Sequence, residues 1–136
     1  AGFPGETAEE FAETLAFVRQ VNFAGGHVFS FSPRPGTPAL KLGGHVATPV
    51  KKARSAALRG VLADSARRFQ QQFIGGKLSV LWEASQGNAA DGWQLEGLTG
   101  NYIRVTARSP QPRWNRIDVV QLEGITEHGL QGVLVA

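Results

Sequence analysis

Tyr102, Arg104, Arg108, Arg113, Trp114 and Arg116 gather aromatic rings and guanidinium groups into one short stretch of the chain. A ring beside cations can stack a nucleobase while the cations pair its phosphates. On an expected strand, Ile103 and Val105 point one way while Tyr102, Arg104, Thr106 and Arg108 point the other, because successive side chains alternate across a sheet. If the apolar pair is core, the second set is exposed. Arg113, Trp114 and Arg116 continue the same chemistry on the next loop and strand, and no acidic residue lies among the four arginines. Lys77 and Asn101 complete the expected RNA-binding set. Ordinary surface arginines are the competing reading, and the sequence pattern leaves both open.

A second candidate is Phe3-Pro4-Gly5-Glu6-Thr7, which leads straight into a helix. Its backbone amides could meet a ligand's carboxylate or hydroxyls, with Glu6 accepting from a ribose, or it could be a plain capped turn. His27, His45 and His128 show no metal-site spacing and read as structural. Glu6, Glu9, Glu10 and Glu13 cluster where a helix macrodipole favours negative charge, so they need no catalytic role. Neither a Gly-x-Ser-x-Gly elbow nor a phosphate-binding loop occurs. A self-contained enzyme has little support.

The elements that must hold these residues are bounded by composition. The 136 residues suffice for one ordinary domain or two small ones, and 42% hydrophobic with 18% charged residues excludes a disordered tail. With no Cys, disulfides, thiolate nucleophiles and thiolate-bound metals are excluded. The absence of Met and the start at Ala1-Gly2-Phe3-Pro4 read as a cut chain. No apolar run reaches the roughly 18 residues of a membrane span. Net charge is +3, unevenly spread: residues 47–76 carry 6 basic and 1 acidic side chains, against 3 and 4 before them and 5 and 6 after.

Thr7 and Glu10 form a capping box, and Phe11, Leu15 and Val18 repeat at helical spacing, so residues 7–22 read as an amphipathic helix. His27 to Ser32 alternates at period two and suits a strand. Ser32 to Pro38 packs three prolines and a glycine into a stiff loop. Thr48-Pro49 starts a long helix expected to run to about Ile74, with Ala53, Ala57, Val61, Phe69 and Phe73 on its apolar side and basic residues over much of the rest. That basic face is either simply solvated or a nucleic-acid contact. From Lys77 the period becomes two: Leu78/Val80/Trp82, Trp93/Leu95, Ile103/Val105, Ile117/Val119 and Leu130/Leu134 mark five short strands. The expected fold class is therefore α+β. A truncated α/β barrel fragment, ordered helix, strand, loop, long helix, precedes a five-stranded OB-like antiparallel β-barrel.

Three words of sequence carry a family resemblance: Gly2 to Thr7, His27 to Ala39, and Gly97-Leu98-Thr99-Gly100-Asn101-Tyr102-Ile103-Arg104-Val105. Together they resemble the radical-SAM tRNA methylthiotransferases across essentially the whole chain, and Asn101 to Val105 is similar to the branch acting on threonylcarbamoyladenosine. The resemblance implies three segments: residues 1–46 as the end of a radical-SAM barrel, 47–76 as a basic connecting helix, and 77–136 as a TRAM barrel that holds tRNA. It implies a cytoplasmic parent enzyme using two 4Fe–4S clusters and S-adenosylmethionine, with both clusters held by domains upstream of Ala1. Gly5 and Glu6 would lie at the parent's SAM-proximal turn, and Ser32 and Arg34 at the mouth of the following strand.

The chain is thus expected to bind tRNA, to contact upstream domains of the same protein, and to be inactive alone. The alternative is a barrel acting mainly as a structural or protein-interaction module that orients the catalytic core. Uncovered edges of the truncated unit are expected to favour self-association.

Overall fold

A computed structural model describes residues 1–135; Ala136, the last residue of the expected barrel segment, lies outside the described residues. The chain divides into two compact units, Ala1–Arg68 and a second from Phe69 onward.

In the first unit, helix α1 (Ala8–Val21) begins at the capping box read from the sequence. Glu10 N donates to Thr7 Oγ1 at 3.1 Å, and Thr7 N donates to Glu10 Oε2 at 2.8 Å. Asn22, at φ 56°, caps the far end in the left-handed region that short amide side chains tolerate. None of the residues of α1 is fully buried; Phe11, Leu15 and Val18 are half-covered.

Residues 27–32 form no strand. This corrects the sequence expectation. Period-two alternation specifies an extended backbone, whereas a strand also needs a ladder partner. Here the pairing amounts to Phe31 N donating to Ala1 O and the Ala1 ammonium donating to Phe29 O, each at 2.8 Å. The proline loop follows as expected and closes with a short 3-10 helix, Pro38–Lys41.

Helix α2 (Thr48–Gln71) stops slightly short of the expected end. Its covered face also differs from expectation: Ser55, Leu58, Val61 and Ser65 are buried, while Ala53 and Ala57 are exposed. Two serines can sit inside because each finds a partner. Ser55 Oγ shares a 2.7 Å hydrogen bond with Ser30 Oγ, and Ser65 Oγ donates to the Phe23 carbonyl. Small hydroxyl side chains let the loop backbone approach α2 while satisfying polar groups that would otherwise be costly to bury.

The second unit is a closed barrel of β1 (Lys77–Asn88), β2 (Gly92–Thr99), β3 (Arg104–Ser109), β4 (Ile117–Thr126) and β5 (Gly129–Leu134). Strand order around the ring is β1-β2-β3-β5-β4, closing back onto β1. The β3–β5 pair is parallel and the other pairs antiparallel, which corrects the expectation of a wholly antiparallel barrel. An odd number of strands cannot alternate direction all the way around a closed ring, so one pair must run in parallel.

Val80, Trp82, Leu95, Ile103, Val105, Ala107, Val120, Leu122 and Leu130 form the buried interior. Phe69 and Phe73 pack against it from the end of α2, edge to face at 5.1 Å. Gly75 N then donates to Leu122 O at 2.8 Å, tying the helix exit to β4. On β4 the inward face is the opposite of that expected: Val120 and Leu122 are core, while Ile117 and Val119 are exposed. A one-residue shift of phase exchanges every side chain between the faces of a strand. Here Asp118 fixes the phase, taking an inward position at one end because Trp82 Nε1 donates to it.

Candidate nucleic-acid interface

Arg104 and Arg108 project together from the outer face of β3 with Thr106 between them. Register places Leu98 opposite Arg104, Glu96 opposite Thr106 and Gln94 opposite Arg108. On the other flank Thr106 faces Gln131 of β5. The result is a strip of alternating cation, hydroxyl and cation bordered by amides and a carboxylate. One groove of about 430 Å³ is lined by Glu96, Arg104, Thr106, Thr126 and His128. A second groove shares Thr106 and continues past Gln94, Arg108, Glu123 and Gln131.

Gly129 makes this face possible. A Cβ there would lie 2.3 Å from the Arg104 carbonyl oxygen, so only glycine lets the turn after β4 close against β3. His128 is carried to the groove by that turn. Expected from the sequence to be structural, it lines the groove beside Arg104 and Glu96, and the His-Gly pair preceding the last strand is its signal in the sequence.

The other expected RNA contacts are dispersed. Tyr102 is not on β3: it occupies the preceding turn at φ 62°, 85% exposed, with its N–H donated to Thr99 O at 3.0 Å. The expected shared face of Tyr102, Arg104 and Arg108 is therefore corrected, because the strand begins two residues later than the alternation suggested. Asn101 accepts a 2.5 Å bond from Thr99 Oγ1 and shapes the same turn. Lys77 is exposed at the start of β1, opposite Gln121.

Arg113 turns towards the barrel, with Nη1 3.3 Å from Asp118 Oδ1 and its backbone N–H directed at Ser85 Oγ. Trp114, 70% exposed, and Arg116 remain open to solvent on a loop held firmly at its base. Asn115 N donates to Trp82 O at 2.8 Å and Trp82 N to Arg116 O at 2.9 Å. An ordered loop presenting a free indole between basic residues has the chemistry of a stacking contact.

At the N-terminal turn, Gly5 N donates to Gly44 O at 2.8 Å. Glu6 Oε2 accepts from Gly2 N at 2.8 Å and from Arg54 Nη1 at 2.5 Å, and Arg54 lies over the Phe11 ring. Both groups are engaged within their own unit. Ser32 and Arg34 are exposed, and the Arg34 carbonyl closes the proline loop by accepting from Thr37. Among the described residues, no group of His, Cys, Asp and Glu could hold a metal ion, and no helix is long and apolar enough to cross a membrane.

Strand order, ring closure and the single parallel pair define a small OB-like barrel, here with a basic strip on its outer surface. Comparison with known proteins adds the particular relatives. The chain is 35% identical over 135 residues to tRNA-2-methylthio-N(6)-dimethylallyladenosine synthase of Hydrogenovibrio crunogenus, a match covering 99% of the chain. The proteins of the same name from Maricaulis maris and Bacillus velezensis are 36% and 34% identical, each over 133 residues. The chain spans 26–28% of the length of these relatives. No family model matches the sequence. The relatives carry the dimethylallyl name, not the threonylcarbamoyl one suggested by Asn101 to Val105.

Proposed function

We propose that this chain is the tRNA-gripping portion of a radical-SAM methylthiotransferase, with residues 77–136 as a TRAM barrel, 47–76 as the connecting helix and 1–46 as the end of the radical-SAM barrel. The observation that carries the reading is the pairing of Arg104 and Arg108 on one outer face of a closed OB-like barrel. Similarity over nearly the whole chain to synthases named for a methylthio-adenosine of tRNA supports it. The substrate class in this reading is an adenosine bearing an N6 substituent, in tRNA, in the cytoplasm. Asn101 to Val105 favours the threonylcarbamoyl substituent and the relatives' names the dimethylallyl one; turnover of the two modified tRNAs by the parent enzyme decides between them.

The residues of this chain do not by themselves fit the cofactors that the reading assigns to the parent. Gly5 N donates to Gly44 O, and Glu6 Oε2 already accepts from Gly2 N and Arg54, so the turn offers S-adenosylmethionine no free amide donor at Gly5. The sequence has no Cys to ligate the two 4Fe–4S clusters. In this reading the cluster ligands and the remainder of the cofactor pocket belong to other domains of the same protein. The chain alone binds and orients RNA and carries out no chemical step.

The test is binding of fluorescein-labelled tRNA by this chain over a salt series. Each phosphate neutralised releases condensed counterions, so affinity falls steeply as salt rises. The Arg104→Glu, Arg108→Glu double variant is expected to bind markedly more weakly with a shallower salt slope. Unchanged affinity in that variant would remove this face from the interface.

A further inference from the structure

The outward residues of β1, β2 and β4 make a second surface whose chemistry differs from that of the arginine strip. Register sets Leu98, Leu81 and Ile117 side by side across the three strands. Ile117 is 69% exposed, and with Ser79 and Tyr102 these aliphatic residues line a groove of about 450 Å³. The strands beneath are already paired around the closed ring, so the groove needs no further strand.

Tyr102 supplies the independent observation. Its φ of 62° lies in the left-handed region, where glycine or asparagine sits readily and a bulky aromatic does not. The turn itself closes through backbone and Thr99 side-chain bonds that any residue but proline at this position would allow. The exposed ring does not fill the core either. A strained aromatic that serves neither its turn nor the interior is a residue held for contact with something else.

Charge on the rim indicates what that is. Arg104 lies directly across from Leu98, Arg116 immediately precedes Ile117, and Lys77 projects from the same face of β1. Glu83 is the carboxylate lining the groove among the described residues, and Arg104 Nη1 stands 3.8 Å from it. A flat ring above an aliphatic floor takes the face of a base, and cations on either side take the adjoining phosphates. In a duplex those base faces are stacked away, whereas a loop or bulge exposes them.

We infer that the Tyr102/Leu81/Ile117 groove is a subsite for an unpaired nucleobase, so that the barrel grips single-stranded RNA and does not rely on stem phosphates alone. The inference rests on the nucleic-acid reading above and specifies the state of the RNA that is bound.

The test measures anisotropy of labelled oligoadenylate and of a blunt RNA duplex with the 136-residue chain. Tyr102→Gly removes the ring and relieves the backbone strain, so its melting temperature should not fall. Its affinity for oligoadenylate should drop roughly 5- to 150-fold, the range that base stacking supplies, with duplex binding unchanged. Ile117→Ser should weaken the same probe. Because Tyr102 is the sole tyrosine, ring-labelled tyrosine gives one set of NMR signals, and these should move upfield when oligoadenylate is added. Unperturbed signals, or full oligoadenylate affinity in both variants while Arg108→Glu weakens binding, would overturn the subsite and leave the arginine strip standing. Loss of self-association in Tyr102→Gly with RNA binding intact would make the groove a protein contact and overturn it likewise. If the unsubstituted 136-residue chain binds neither probe at low salt, both the subsite and the reading beneath it fail.

Discussion

The indole of Trp82, fully buried in the barrel, donates to Asp118 Oδ2 at 2.9 Å, and Arg113 engages the other oxygen of the same carboxylate. This contact joins β1 to the start of β4 and sets which face of β4 is core. Asp118→Ala leaves the buried indole N–H without its acceptor, and the expected cost is about 1–3 kcal/mol. Asp118→Asn keeps an acceptor for the indole and should lose less. Urea denaturation midpoints measure both.

Both β-bulges of the barrel are faced by glycine. The irregularity after Trp82 lies opposite Gly97, and that after Leu122 opposite Gly132. A Cβ at either position would come 2.3 Å from a backbone carbonyl oxygen, of Leu81 or of Gln121. Bulges bend and twist the strand that carries them, and the missing side chain lets the partner follow. Gly97→Ala or Gly132→Ala should destabilise by about 1–3 kcal/mol or more. Gly100→Ala, with open space around it, should be close to neutral in the same melts.

The Arg54–Glu6 pair is mostly withdrawn from solvent, at 10% and 18% side-chain exposure. Removing one partner strands the other, at a typical cost of about 3–5 kcal/mol. Glu6→Ala should therefore raise amide hydrogen exchange through residues 1–68, while core amides of the barrel strands keep their protection. Equal loss of protection in both units would show that the pair serves more than its own unit.

Trp114 sits on a loop whose base is fixed by backbone bonds that do not involve its indole. Trp114→Ala should leave the melting temperature essentially unchanged and weaken tRNA binding by about 1–3 kcal/mol if the ring stacks on a base. A fall in stability without a fall in affinity would assign the ring to packing.

Phe29 is 80% exposed beside an apolar groove lined by Val18, Phe23, Leu58 and Leu62. Apolar surface of this kind favours association at high concentration. Sedimentation of the chain should show concentration-dependent self-association, reduced in Phe29→Ser.

The sequence by itself determined what depends on local chemistry. Thr7 and Glu10 specified the start of α1 because a capping box is satisfied within four residues of chain. Alternation from Lys77 onward specified five strands. The basic character of Arg104 and Arg108 was equally plain, as was their shared face, since residues four apart on a strand point the same way.

Tertiary structure decided what depends on a partner distant in sequence. Whether residues 27–32 become a strand rests on a neighbouring ladder. The phase of β4 rests on Asp118 meeting Trp82, and the buried side of α2 on Ser30 and Phe23 reaching Ser55 and Ser65. The parallel β3–β5 pair follows from closing an odd ring, a condition no single strand carries. Tyr102 left the arginine face, and Leu81, Leu98 and Ile117 came together, for the same reason: cross-strand neighbours are fixed by register, and register is settled only when the barrel closes.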